Sequence, residues 1–338
     1  MSCAGQPASG AVTFVESLLD RARRARRRLV LSEGDDERVR EAASSLVGGR
    51  VCDVTLLGSD ATAAWAAAGA PGVSVRIPAG DPVLHAVADH LAARKPQSVP
   101  DRATALKLAA DPLRFAAALV ALGEADATVG GAVHTTAEVL RAALWAVGPA
   151  EGIKTVSSCF YMVTRTAGVL TFADCGVVQY PTAEQLAEIA VAAARDRRLV
   201  VGDEPVVAFL SHSTLGSAEG ESVDKVRKAV ELFRRLEPGI PADGDLQGDA
   251  ALVSSVARRK APGSAAAGRA NILIFPDLDS GNIAYKLVQR IAQVPALGPV
   301  VQGLRRSCSD LSRGATADDI VLVSAIALLQ SQAASPGA

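Results

Sequence analysis

Aromatic residues are scarce: seven Phe, three Tyr and two Trp make up 4% of 338 residues. Nowhere do basic side chains alternate with rings, which argues against a surface that stacks single-stranded bases. Net charge is lacking too. With 35 Lys and Arg against 36 Asp and Glu, the balance is −1, so no global field recruits nucleic acid or an anionic membrane, and any anion site must be local. No apolar run reaches the roughly 18 residues of a membrane-spanning helix. The five cysteines (Cys3, Cys52, Cys159, Cys175, Cys308) are odd in number and scattered, with no C-x-x-C pair. Neither a disulfide framework nor a zinc site is indicated, and reduced thiols in the cytoplasm are the simpler expectation. No metal-ligand cluster appears, so no metal is expected. No secretory signal leads the chain. No G-x-G-x-x-G follows an early strand, which ranks a nicotinamide dehydrogenase last among the readings.

A hydrophobic content of 49% with 21% charged residues is that of a soluble globular protein, long enough for one large or two ordinary domains. The basic run Arg21 to Arg28 follows a periodic apolar segment and reads as a helix C-terminus. Leu29–Leu31, Val51–Leu57, Val73–Ile77 and Ala125–Gly131 then read as strands, alternating with helices at 37–46, 83–95 and 135–145. Gly148-Pro149-Ala150-Glu151-Gly152 marks a domain boundary. A second set follows, with strands Thr155–Met162, Val169–Phe172, Val206–Ser211 and Ile272–Phe275. Its helices are Thr182–Arg195, Ser222–Leu236, Ala250–Lys260 and Asn282–Ala292, and Ala261–Ala267 reads as an exposed flexible connection. Such alternation predicts two α/β units with mostly parallel sheets covered on both faces.

The most reactive residues lie between Gly298 and Asp319. Val300 and Val301 read as the end of a buried strand, and Asp319 opens an apolar helix. The intervening loop carries Ser312 and Arg313. In an α/β sheet, ligands bind where strands end and helices begin. Backbone N–H groups of Gly314 to Ala317 at a helix start favour an anion such as phosphate. Arg313 offers a planar fork for phosphoryl oxygens, Ser312 a donor, and Asp319 a proton acceptor. Thr316-x-x-Asp319 serves equally well as a capping box.

Several ordered motifs closely resemble the phosphate acetyltransferase (phosphotransacetylase) family. They are Gly131-Ala132-Val133-His134-Thr135-Thr136-Ala137-Glu138, Lys154-Thr155-Val156-Ser157-Ser158, Pro181-Thr182-Ala183-Glu184-Gln185-Leu186, Ser211-His212-Ser213-Thr214, Asp224-Lys225-Val226, Asp243-Gly244-Asp245, Phe275-Pro276-Asp277 through Lys286, and Gln302-Gly303-Leu304 with Asp310-Leu311-Ser312-Arg313-Gly314. The resemblance spans about Leu29 to Leu329. It implies two three-layer αβα domains with the active-site cleft between them, the C-terminal segment returning to complete the first. The expected boundaries are 1–152 plus 299–338, and 153–298. A homodimer is also implied.

The activity so implied is reversible acetyl transfer between acetyl phosphate and coenzyme A, with CoA as substrate and no tightly bound cofactor. That chemistry asks for a base to generate the CoA thiolate, cations for phosphate and the tetrahedral intermediate, and two substrates held in line. Asp319 matches the family's proposed base; an ordinary aspartate is weak, so the role asks for burial or a supportive hydrogen-bond setting. Arg313 matches the arginine taken to hold phosphate and polarise the carbonyl, and Ser312 the adjoining hydroxyl. Ser312 reads as a donor rather than a nucleophile, because no Ser-His-Asp arrangement is evident. Arg141 and Arg94 match two further arginines; their bland roles are a surface pair with Glu138 and a helix C-terminal cap. Thr135, Ser280, Asn282, Tyr285 and Lys286 join them as substrate-binding candidates, with helix capping the competing role for Ser280 and Asn282. His134, beside the glycine turn, reads as a hydrogen-bonded structural group.

The chain departs from the family pattern at the shortened 163–168 segment, at Ser307-Cys308-Ser309 and at Leu215, which leaves acyl preference and CoA affinity open. Alternatives are a phosphate butyryl- or propionyltransferase, or a non-catalytic acetyl-CoA-binding regulatory domain.

Overall fold

The computed structural model describes residues 9–334. In chain order the first elements are α1 (Ser9–Ala25), β1 (Arg28–Leu31), α2 (Glu37–Gly48), β2 (Asp53–Leu57), α3 (Asp60–Gly69), β3 (Val73–Arg76), α4 (Leu84–Arg94), α5 (Arg102–Ala109), α6 (Pro112–Ala121), β4 (Ala127–Gly130) and α7 (Thr136–Ala146). Next come β5 (Ser157–Val163), β6 (Val169–Ala173), α8 (Ala183–Val200), β7 (Val207–Leu210), α9 (Glu221–Leu236), β8 (Ala242–Leu246), α10 (Gly248–Leu252), α11 (Ser254–Lys260), β9 (Ile272–Ile274), α12 (Leu278–Ile291) and β10 (Ala296–Gln302). β11 (Ser307–Asp310) and α13 (Ala317–Gln330) close the sequence of major elements.

Two compact units result, one built on Glu16–Glu151 with the segment from Leu304 onward, the other on Gly152–Gly303 together with the described segment before Glu16, which the expected boundary of 1–152 places in the first. The first holds a five-stranded sheet in the order β11-β4-β1-β2-β3, with every pairing parallel. α13 lies on β4 and β11 beside α2, while α6 and α7 cover the same strands and carry α4. Parallel strands covered this way are rich in apolar residues, and Leu29, Val30, Leu31, Val54, Leu56, Ala127 and Val129 are all buried. The second unit holds six strands in the order β10-β5-β6-β9-β7-β8. β6, β9, β7 and β8 run parallel, and β5 pairs antiparallel with both β6 and β10.

The structure corrects the sequence reading at several places. Val300 and Val301 belong to β10, an edge strand of the six-stranded sheet, so they do not lead into the reactive loop. β11 leads into it: Ser307-Cys308-Ser309-Asp310 pairs in register with Ala127–Gly130 of β4. Because β10 runs through Gln302, the return to the first sheet starts at Leu304, held by a bridge to Pro149, rather than at 299. The helix expected over 250–260 breaks at Val253, whose backbone is extended, giving α10 and α11. Ala261 and Ala266 are buried, and the Ser264 hydroxyl accepts from the N–H groups of Ala266 and Ala267, so that connection is a pinned turn. The basic run ends α1 as expected, with Arg23 and Arg24 in its last turn.

Candidate active site at the carboxyl edge of the first sheet

Strand order fixes where to look. From β1 the chain proceeds to β2 and β3 on one side, then returns to lay β4 on the other. The direction of winding therefore reverses between β1 and β4, and such switch points are where open α/β sheets bind ligands. Three loops leave the carboxyl ends of neighbouring strands here: Ser32–Asp36 after β1, Gly131–Thr135 after β4, and Leu311–Thr316 after β11.

Glu33 organises the first two. Its carboxylate is 7% exposed and accepts from four successive backbone N–H groups: Gly131 at 2.9 Å and Ala132 at 2.7 Å on Oε2, Val133 at 3.0 Å and His134 at 2.9 Å on Oε1. His134 Nδ1 lies 2.7 Å from the same Oε1. A concave run of amides is an anion receptor; here the chain's own carboxylate fills it. His134 is thereby tied to Glu33.

Arg38, in the first turn of α2, holds the third loop. One nitrogen donates to the carbonyls of Arg313 and Ala315, each at 2.9 Å, and the other donates to the Ala132 carbonyl at 2.9 Å. Asp36, the α2 N-cap, braces the guanidinium through both oxygens, and that pairing holds the Asp36 carboxyl below the usual carboxylate range. One arginine thus fastens the Ser312–Arg313 loop by its main chain and leaves its side chains unencumbered.

On that loop Ser312 and Arg313 are exposed. The Ser312 hydroxyl accepts from Gly314 N–H at 3.3 Å, and among the described residues the Arg313 guanidinium has no partner. Asp319 sits half-buried in the first turn of α13. Its Oδ2 accepts from the N–H and hydroxyl of Thr316, both at 2.9 Å, and the Thr316 hydroxyl accepts from Asp319 N–H. The capping box read from the sequence is therefore formed, and Oδ1 stays outside it. Asp310, the last residue of β11, is 0% exposed. Burial pushes its carboxyl up to about 7, with the Glu33 charge adding to the effect.

The other candidates separate. Thr135 caps α7 in a reciprocal box with Glu138, whose carboxyl is held down mainly by Thr135 and also by the Arg141 charge. Arg141 bonds its Nε to the Ala137 carbonyl and is exposed. Arg94 donates to the Trp145 and Val147 carbonyls, so it caps the end of α7 rather than its own helix. Ser280, Asn282, Tyr285 and Lys286 lie in the other unit, on α12. Ser280 donates to the Asp277 carbonyl and Asn282 to that of Cys175. Tyr285 stacks on Phe160 with centroids 3.9 Å apart, and the Lys286 ammonium lies 5.7 Å from the Tyr285 ring centre. Glu33, Arg38 and Asp310 are the residues that sequence reasoning did not select. Among the described residues no group of His, Cys, Asp and Glu is placed to hold a metal ion, and no helix is long and apolar enough to cross a membrane.

Comparison with known proteins agrees with this architecture. A family model described as phosphate acetyl/butaryl transferase matches residues 13–328. The phosphate acetyltransferase of Acetivibrio thermocellus is 42% identical over 328 residues, covering 95% of this chain and 99% of that protein. That of Paracoccus denitrificans is 43% identical over 311 residues, covering 90% and 95%. The crystal structure of a phosphotransacetylase from Streptococcus pyogenes superposes with a TM-score of 0.90 at 35% identity, covering 98% of this chain and all of the other.

Proposed function

The chain belongs to the phosphate acetyl/butaryl transferase family and is an acyltransferase; from that premise we propose that it moves an acetyl group reversibly between acetyl phosphate and coenzyme A by direct thiolate attack. The observation that carries this reading is the corner between β11 and α13. There an exposed guanidinium, a hydroxyl, a helix N-terminus and a half-buried carboxylate stand within eight residues, Ser312 to Asp319, on a loop fastened by Arg38.

In this reading Asp319 takes the proton from the CoA thiol. The thiolate attacks the carbonyl carbon of acetyl phosphate, and Arg313 stabilises the oxyanion and the phosphoryl charge. Collapse breaks the bond from carbonyl carbon to bridging oxygen, forms the thioester and releases inorganic phosphate, which takes up the proton. Ser312 donates a hydrogen bond to the phosphoryl group. Arg141, Arg94 and Thr135 are the remaining substrate-binding residues of this reading from the first unit, the two arginines adding cationic character for the anionic substrates. Ser280, Asn282, Tyr285 and Lys286 of α12 are further substrate-binding residues in this reading. An acyl-enzyme plays no part in this reading: among the described residues the Ser312 hydroxyl has only the Gly314 N–H as a hydrogen-bond partner, and no histidine contacts it.

Thioester formation followed by absorbance tests this directly. We expect turnover with acetyl phosphate and CoA, falling with propionyl and butyryl phosphate by about 10-fold or more per step, since each methylene in a fitted pocket shifts discrimination by about 1–3 kcal/mol. Preference for butyryl phosphate would reassign the substrate. Acetyl-CoA binding without turnover of any acyl phosphate would make the chain a regulatory binding domain.

A homodimer is part of the proposal. α12 presents Ile283, Leu287 and Ile291, 57%, 52% and 79% exposed, at the four-residue spacing that makes one stripe. An apolar stripe on a helix that buries only Gly281 fits a surface covered by a second copy. Sedimentation should give a dimer for the wild type and a monomer for Leu287→Asp; a monomeric wild type would end this part of the proposal.

A further inference from the structure

Asp310 has features that no step above uses. It ends β11 opposite Gly130 of β4, directly before Leu311-Ser312-Arg313. Its Oδ2 accepts from the Thr136 hydroxyl at 2.6 Å, and Thr136 is the first residue of α7, the helix that carries Arg141. Its Oδ1 is buried and makes no hydrogen bond of normal geometry among the described residues, the Leu311 amide lending the carboxyl only weak support. Gly131 passes so close that a Cβ there would lie 2.4 Å from Oδ1 and 2.8 Å from the Leu311 nitrogen, at a φ of +104°. Side chain, glycine turn and loop are therefore packed as one piece.

The charges around it are one-sided. Glu33, held by the same Gly131 turn, is the anion that faces it. His134 is bound to Glu33. Arg38 reaches the Ala132 carbonyl and the loop carbonyls but is braced by Asp36 and makes no bond to Asp310. A buried carboxylate with one hydroxyl donor, one weakly supported oxygen and a second carboxylate nearby is poorly solvated in its charged form.

We propose that Asp310 is a positioning residue that works as a neutral acid, tethering the Ser312–Arg313 loop to the start of α7 without placing a further negative charge beneath the site that receives the phosphoryl group. The inference rests on the acetyl phosphate reading given above. Its consequence is a pH dependence of substrate binding. Burial and Glu33 raise the Asp310 carboxyl to about 7, against the lowering influence of the Thr136 hydroxyl and the Leu311 amide. Above that pH an anion appears behind the loop, and KM for acetyl phosphate rises.

Three measurements on the full chain test this. The first is steady-state kinetics between pH 6 and 8. Asp310→Asn keeps an oxygen for Thr136 and no charge; it should stay within about 3-fold of wild-type kcat/KM at pH 6 and lose the rise in KM that the wild type shows toward pH 8. Asp310→Ala should raise KM for acetyl phosphate by about 10-fold at both pH values, with a smaller change in kcat. The second is amide exchange of segment 311–316, which should quicken in Asp310→Ala and not in Asp310→Asn. The third is thermal unfolding. An Asp titrates near 3.9 in an unfolded chain; with a folded value of about 7, the stability owed to the buried neutral acid is complete below pH 4 and is lost as pH rises toward 7. The Tm of Asp310→Asn relative to wild type should therefore climb between pH 4 and 7 and then level. An Asn variant as impaired as the Ala variant, or a flat Tm difference, would show a working carboxylate and overturn the proposal. Unchanged exchange in both variants would overturn the tether. Should the wild type turn over no acyl phosphate, the functional reading fails, while exchange and unfolding still decide the state of Asp310. If Asp310→Ala does not fold, Thr136→Val removes the tether from the other side.

Discussion

Replacing Arg313 with alanine should lower kcat/KM for acetyl transfer by about 10²–10³-fold, the loss typical when one preorganised donor is withdrawn from developing negative charge. Stability should move by no more than about 0.5 kcal/mol, as for other exposed substitutions without a packing role. Both expectations follow from one arrangement. The guanidinium is exposed and, among the described residues, unpartnered, so its removal opens no cavity and orphans no neighbour there. Arg38 grips the loop through the carbonyls of residues 313 and 315, which alanine keeps, so the loop retains its path. Arg313→Lys should recover part of the loss: it restores a positive charge but not the planar fork that meets two phosphoryl oxygens at once. The division between kinetic parameters is informative. A fall in kcat places Arg313 on the tetrahedral intermediate, whereas a rise in KM with kcat unchanged confines it to the bound phosphate. Wild-type kcat/KM in Arg313→Ala would remove it from the reaction.

What could be read from the chain and what could not divides along the range of the forces involved. Helices with local start signals were legible: Thr316 and Asp319 are three residues apart, and the box they form is a property of that spacing. The central strands were legible because burial on both faces demands continuous apolar runs, as in Leu29-Val30-Leu31. β11 was not. Ser-Cys-Ser-Asp carries no strand signal, and the segment is a strand only because β4 offers it a parallel edge. Missing β11 also hid Asp310, whose burial depends on the register that brings Gly131 and Thr136 alongside it. Glu33 was equally hidden. In sequence it is one of several acids in a strand-to-helix turn, and its selection depends on four amides about a hundred residues away. The family resemblance pointed to Ser312, Arg313 and Asp319, but the scaffold that presents them is made of contacts the sequence does not order.

Asp319 is the harder case, because one side chain holds two jobs, and the expected result separates them. Asp319→Asn retains an oxygen that can accept from the N–H and hydroxyl of Thr316, so the α13 cap should survive with little loss of stability. It cannot take the thiol proton, and kcat should fall by about 10²–10⁴-fold, the range in which a positioned general base contributes. Asp319→Ala removes the cap as well and should cost about 1 kcal/mol of stability in addition. The pH profile then tests the assignment in a way that capping does not. A thiol titrates near 8.5 in solution, so solvent supplies the thiolate as pH rises toward 9. The deficit of Asp319→Asn relative to wild type should shrink by about 10-fold for each pH unit between 7 and 8.5 and then level, because its thiolate fraction follows the ordinary thiol titration. A deficit constant across that range would mean that the base step is not what Asn removes. Full activity in Asp319→Asn at pH 7 would leave Asp319 as the N3 residue of a capping box and move the search for the base to another group around the Ser312 loop.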